Sequence, residues 1–341
     1  SLLDSCTNHK LYIDKAKSTI LKTLNINNKE IIFTSGATEA NNTAIFSVCN
    51  KYIGMNKHII TTAIEHASVY NCFKYLEQIG FKVTYLKCSG GVVDLEELKN
   101  ALTKDTVLVS IMWVNNIIGS IQPIEEINSI VKEYSHAKLH VDAVQGIGKI
   151  PFDFDPNKVD YLSLTLHKIE GLKGTGLLFI PNNVQIEPYI KGGHQQNNMR
   201  AGTMDVAGAV AASKAISIAY QNLNSHYNYV QELANYLLEK INELNFITIN
   251  RDKGSYSPFV ISFSFNNLKG ETAMHYLEKA NICVGIGSAC NEKTQTLERA
   301  IMVLTDDEKR AINMIRISLS HLNTKEEIDI LIEKLKELER I

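Results

Sequence analysis

Short β-branched runs alternate with longer helix-like stretches through the first two-thirds of this 341-residue chain, and that alternation restricts the fold more than any other feature. Candidate strands are Glu30–Thr34, His58–Thr62, Lys82–Leu86, Thr106–Met112, Lys138–Asp142, Val159–Leu164 and Gly176–Ile180. Between them lie helical patterns over Thr38–Tyr52, Ala67–Ile79, Asp94–Leu102 and Ile124–Tyr134. Strands and helices in this order imply βαβ units and a largely parallel sheet. Ligands of such sheets gather beyond the carboxyl ends of the strands, so chemistry is expected there.

A long helical region spans Val206 to Leu244, after which the pattern changes. The runs ITIN and PFVISFSF read as strands, the second alternating as a half-buried strand would. A helix (Glu271–Ala280), a strand (Ile282–Gly285), a helix near Thr305–Ile312, a strand (Met314–Ser318) and an amphipathic helix (Thr324–Leu338) follow. The expected fold is therefore α/β: a large domain, residues 1–243, with a mostly parallel seven-stranded sheet flanked by helices. A smaller α+β C-terminal domain, 244–341, completes it.

Composition narrows the function. Basic and acidic residues, 35 against 37, give a formal charge of −2, which argues against nucleic acid as the main partner. No apolar run approaches the roughly 18 residues of a membrane span, and the opening SLLDSCTNHK lacks the apolar stretch of a signal peptide. The chain opens on Ser1 without an initiator Met, so its natural start is expected upstream. Six cysteines without a CxxC pair make a disulfide scaffold or structural zinc site improbable and favour a reducing, cytoplasmic setting.

Three segments carry candidate chemistry. In SGATEAN, Ser35–Asn41, small residues run from a strand into a helix, where free N–H groups attract anions. That makes a phosphate cradle at Ala37 and Thr38, or an ordinary turn with Thr38 as N-cap. In HVDAVQG, 140–146, Asp142 ends an apolar strand and Gln145 lies three residues on. A carboxylate so placed is costly unless paired, with a cationic ligand nitrogen or with the following turn. Lys168 follows His167 after the apolar run YLSLTL. At the end of a buried strand, desolvation would lower its pKa and make the amine nucleophilic. Such a lysine forms a Schiff base with pyridoxal phosphate, while the aspartate keeps the pyridine nitrogen protonated.

The ordered pieces TSGATEAN (34–41), EH (65–66), NN with Gly119 (115–119), HVDAVQ (140–145), HK (167–168), MRAGT (199–203), GSAC (287–290) and RISL (316–319) span nearly the whole chain. Together they resemble the cysteine desulfurases of the NifS type, fold-type I pyridoxal-phosphate enzymes called class V aminotransferases. The resemblance implies that Lys168 carries pyridoxal 5'-phosphate, that His66 stacks on its ring and assists proton transfers, and that Asp142 faces the ring nitrogen. Gln145 and Asn115 would bond the phenolic oxygen side. Ala37, Thr38, Thr165 and His167 would hold the phosphate, with Thr203 supplied by the other subunit of a homodimer. Arg316 would pair with the substrate carboxylate through its guanidinium fork, helped by Arg200.

Cys290 would be the nucleophile. It sits in the small-residue run GIGSAC, followed by the polar stretch NEKTQT, and accessible thiolates are the reactive ones. The implied reaction converts L-cysteine to L-alanine and leaves a persulfide on Cys290. The sulfur then passes to an acceptor protein, such as an iron–sulfur scaffold or a tRNA-thiolation protein. Selenocysteine lyase is the nearest alternative, and a catalytically idle dimeric scaffold a more distant one. The sequence departs from the family at Leu166, where Gly is usual and where bulk would crowd the phosphate loop. It departs also at Ile117, in place of an acidic residue, and at QQNN (195–198); the family's opening strand and small-residue turn are expected to lie ahead of Ser1.

Overall fold

The computed structural model describes residues 2–252, 254–287 and 298–340, with side chains from Asn8 onward. The chain divides into two compact units. The first comprises residues 1–86, 95–113 and 123–223. The second joins 87–94 and 114–122, which the sequence assigned to the large domain, to 224–341.

Seven strands build the first unit: β1 (Lys29–Thr34), β2 (His58–Thr62), β3 (Lys82–Leu86), β4 (Thr106–Met112), β5 (Lys138–Asp142), β6 (Tyr161–Thr165) and β7 (Gly176–Pro181). They lie in the order β1-β7-β6-β5-β4-β2-β3, and β7 alone runs antiparallel to its neighbours. β2 and β6 are buried at all five of their positions, as strands covered on both faces require. The helices are α1 (Leu2–Thr23), α2 (Ala37–Cys49), α3 (Ala67–Gln78), α4 (Leu95–Ala101), α5 (Ile124–Tyr134) and α6 (Val206–Gln221). Ala44, Ile45 and Val48 of α2 and Phe73 and Leu76 of α3 close on Ile32, Ile59 and Leu178 in one apolar core. The chain steps from β2 to β3 in one direction and from β4 to β5 in the other. This leaves the carboxyl ends of β2, β4 and β5 at a topological switch point.

Two features escaped the sequence. Helix α1 packs against α6 through an apolar stripe that includes Ala16 and Ile20, one helical turn apart. The QQNN stretch covers the sheet edge: Gln196 accepts from Phe33 N–H and donates to Phe33 C=O, both at 2.8 Å, as a neighbouring strand would.

The second unit holds α7 (Leu223–Asn242), β8 (Ile247–Ile249), β9 (Val260–Phe265), α8 (Gly270–Lys279), α9 (Arg299–Thr305), α10 (Glu308–Ile312), β10 (Met314–Ser318) and α11 (Lys325–Leu338). Its strands form an antiparallel sheet ordered β10-β9-β8. The structure corrects several expectations. The helical region from Val206 is two helices, broken at Asn222, whose side chain donates to Ile218 C=O. β9 is buried on both faces, because Ser262 and Ser264 accept from the Asn250 amide instead of meeting water. Ile282–Gly285 is no strand: left-handed Asn281 turns the chain, and only Gly285 pairs, by a bridge to Arg316. The helix near Thr305–Ile312 is α9 and α10, separated by left-handed Asp306.

Candidate active site

β5 delivers Asp142 to the sheet's carboxyl end, in register with Met112 of β4 and Ser163 of β6. The residue is 4% exposed. Its Oδ1 accepts from Val144 N–H at 3.1 Å and its Oδ2 from Asn41 Nδ2 at 2.8 Å. Burial pushes the carboxyl above the usual range, against the pull of nearby His66 and these hydrogen bonds. A carboxylate held this way favours a cationic partner. Behind it on β5, His140 is fully buried between Ser110 Oγ (2.7 Å) and Ser163 Oγ (2.9 Å), and burial drives its pKa down to about 3. It is a neutral spacer between strands.

His66 follows β2 and caps α3: its Nδ1 accepts from Ser68 N–H at 3.1 Å and lies 2.8 Å from Ser68 Oγ. Asn41 Nδ2 also donates to Ser68 Oγ, at 2.9 Å. A continuous string therefore runs from His66 through Ser68 and Asn41 to Asp142. Neither Asn41 nor Ser68 was singled out from the sequence. Asn41 lies 101 positions from Asp142, and only the folded sheet brings them together. Asn41 Oδ1 is buried with no hydrogen-bond partner among the described residues.

At the start of α2 the N-cap is Gly36, not Thr38, and no side chain caps the helix. The N–H groups of Ala37 and Thr38 thus stand at a bare helix N-terminus, suited to an anion. Gly176 of β7 passes so near that a Cβ there would lie 2.5 Å from Gly36 C. Beneath the turn, Glu39 accepts from Ser35 N–H at 2.7 Å and takes the Arg200 fork at 2.8 and 3.2 Å. Burial works to raise the Glu39 pKa, but the hydrogen bonds from Arg200 and Ser35 outweigh it and hold the carboxyl below its usual value. Arg200, read as a substrate helper, spends this face of its guanidinium on Glu39.

Beyond β6, Thr165 Oγ1 donates to Thr175 C=O (3.2 Å) and meets His167 Nδ1 at 2.9 Å. Burial, then the neighbouring cations Lys168, Lys173 and Lys149, lower the His167 pKa. The burial expected for Lys168 is not found. β6 ends at Thr165, and the 3₁₀ turn Leu166–Ile169 carries Lys168 to an exposed position. Leu166 is fully buried, packed beside Gly171. Gln145 accepts from Lys149 Nζ at 2.9 Å, and Thr203 is exposed in the loop before α6.

In the second unit, Arg316 of β10 donates through one terminal nitrogen to Asn116 C=O (3.1 Å) and Gly287 C=O (3.4 Å). Its Nε is buried with no partner among the described residues, and burial lowers its pKa. Asn115 is fully buried, and its Oδ1 accepts from Ile117 and Ile118 N–H (2.8 and 2.9 Å), shaping the turn that takes Ile117 inside. Cys290 lies outside the described residues. Of the other described cysteines, Cys49, Cys72 and Cys88 are buried and Cys283 is exposed, and none of the four is in a disulfide.

These residues fit pyridoxal 5'-phosphate on two counts: a buried carboxylate in want of a cation, and an uncapped helix end suited to a phosphate. Residues 5–331 match the family described as aminotransferase class-V. The chain is 38% identical over 328 residues to the cysteine desulfurase IscS of Dictyoglomus turgidum, covering 96% of this chain and 83% of that protein. It is 37% identical over 333 residues to the cysteine desulfurase IscS of Clostridium botulinum, covering 96% and 84%. A solved NifS-like protein superposes with a TM-score of 0.89 at 37% identity, covering 97% of this chain and 88% of that one. The chain belongs to the class-V aminotransferase family, within its NifS- and IscS-like, pyridoxal-phosphate-dependent branch.

Proposed function

We propose that this protein is a cysteine desulfurase, converting L-cysteine to L-alanine and carrying the sulfur as a persulfide on Cys290. The observation that carries this assignment is the match, over 96% of the chain, to proteins named cysteine desulfurase. The buried Asp142 carboxylate supports it. Pyridoxal 5'-phosphate, when bound, supplies an electron sink for charge developing at the substrate α-carbon.

The chain's own residues do the rest. Lys168 Nζ would hold the cofactor and would take the substrate α-proton. Asp142 would pair with the ring nitrogen and His66 would lie against the ring. Gln145 and Asn115 would serve the phenolic oxygen side. Ala37, Thr38, Thr165 and His167 hold the phosphate, and Thr203 completes that of a second copy in a homodimer. Arg316 takes the substrate carboxylate, assisted by Arg200. Cys290 thiolate attacks the substrate sulfur; the carbon–sulfur bond breaks, its electron pair stays with carbon, and a proton completes alanine. The balance is one cysteine and one thiol giving one alanine and one persulfide.

The persulfide needs an acceptor with a receptive thiol. In the cytoplasm, an iron–sulfur scaffold or a tRNA-thiolation protein answers to that description. Cofactor-loaded protein given L-cysteine and a thiol reductant should release alanine and sulfide in equal amounts. Cys290→Ser should keep the near-visible absorbance and release neither; sulfide at the wild-type rate from that variant would remove Cys290 from the reaction.

A further inference from the structure

We propose that Ser68 and Asn41 are positioning residues that hold His66 with Nδ1 as a hydrogen-bond acceptor, so that the ring donates through Nε2. His66 then works as a hydrogen-bond donor and ring partner and not as a base. The role, though not the geometry, rests on the function proposed above.

A backbone N–H can only donate, and Ser68 N–H points at His66 Nδ1 from 3.1 Å. Nδ1 must therefore offer its lone pair, and the single proton of a neutral ring sits on Nε2. Asn41 sets the direction of the second contact. An ionised Asp142 only accepts, so the nitrogen end of the Asn41 amide faces it, at 2.8 Å. The other Nδ2 hydrogen goes to Ser68 Oγ at 2.9 Å. Ser68 Oγ, already accepting, turns its own hydrogen to His66 Nδ1, 2.8 Å away. Two donors thus converge on one ring nitrogen.

A proton arriving at Nδ1 would have to break both contacts. The same string ties the lock to Asp142, so the imidazole and the carboxylate are oriented together.

The test is nitrogen NMR of the cofactor-loaded full chain grown with nitrogen-labelled histidine, the His66 signals assigned by their loss in His66→Gln. The wild type is expected to show bare Nδ1 and protonated Nε2. Ser68→Ala removes the hydroxyl donor but keeps the backbone N–H, so the Nδ1 signal should move while remaining that of a bare nitrogen. Ser68→Thr should restore it. Turnover in Ser68→Ala is expected to fall about fivefold in kcat, the effect of one hydrogen bond, with KM moving less than about twofold. A protonated Nδ1 in the wild type, or an unmoved Nδ1 signal in Ser68→Ala, would overturn the lock. Because the readout is the tautomer, a chain that makes no alanine yet shows bare Nδ1 would sink the desulfurase assignment and leave the lock standing.

Discussion

Glu39 and Arg200, 161 positions apart, are joined by a two-pronged ion pair, Nε to Oε1 at 2.8 Å and a terminal nitrogen to Oε2 at 3.2 Å. The Glu39 side chain is 7% exposed and that of Arg200 21%. The pair fastens the segment 199–203 to the turn that opens α2, beneath the proposed phosphate cradle.

Arg200→Ala should therefore destabilise the protein by about 2 kcal/mol, below the full cost of breaking a buried pair because Ser35 N–H still serves Glu39. The pH dependence follows from the lowered Glu39 pKa. A carboxyl depressed in the folded state adds stability above its unfolded value of about 4.3 and loses it as pH falls further. Acid unfolding of wild type and Glu39→Gln should thus converge below that pH and separate above it. Parallel curves throughout would mean that the pair contributes nothing.

Asp142 runs the other way. Its pKa is raised by burial, so ionisation costs folding stability once pH exceeds the unfolded carboxyl value. Asp142→Asn should raise the melting stability of cofactor-free protein by about 1 kcal/mol, the Asn41 amide turning over to meet it. The same variant should lose tight cofactor binding and turnover. A variant both less stable and fully active would contradict this account of the carboxylate.

Thiol labelling separates reactive from structural cysteines. Burial pushes Cys72 up to about 12 and Cys49 higher still. Brief alkylation of the native protein, read by peptide mass, should mark exposed Cys283 and leave Cys49 and Cys72 unmarked until denaturant is added. Native labelling of Cys49 would show that its burial is wrongly described.

Gly176→Ala tests the close approach beside α2. A Cβ there would sit 2.5 Å from Gly36 C and 2.8 Å from Gly36 O, backbone atoms that cannot rotate away. Loss of about 3 kcal/mol is expected, with weaker binding of pyridoxal phosphate in an absorbance titration. Unchanged stability would mean that β7 and the turn at Gly36 part without cost.

Much of the scaffold was legible because short apolar strand runs alternate with helical patterns, and β2, β3, β4 and β5 fall where their runs predicted them. Local chemistry misled where tertiary partners took over. Alternation in β9 suggested a wet face, but Asn250 and Arg310 satisfy its serines inside. Thr38 has the right chemistry for an N-cap, yet the glycine two residues earlier takes that place. Helix α1 went unseen because its buried stripe is narrow, and exposed Leu11 and Tyr12 blur its periodicity. At the site, Asp142 and Lys168 announced themselves through strand-end position and order. Asn41 and Ser68 could not, since their role exists only once α2, α3 and β5 converge.

The most direct measurement is the fate of the sulfur. Cofactor-loaded protein mixed with one equivalent of sulfur-labelled L-cysteine, without reductant, should retain the label on the chain as a persulfide mapped to the peptide bearing Cys290, with one alanine formed per label. Thiol reductant should release it. Alanine formed with no protein-bound sulfur, or label mapped to another cysteine with Cys290→Ser fully active, would contradict the proposed transfer.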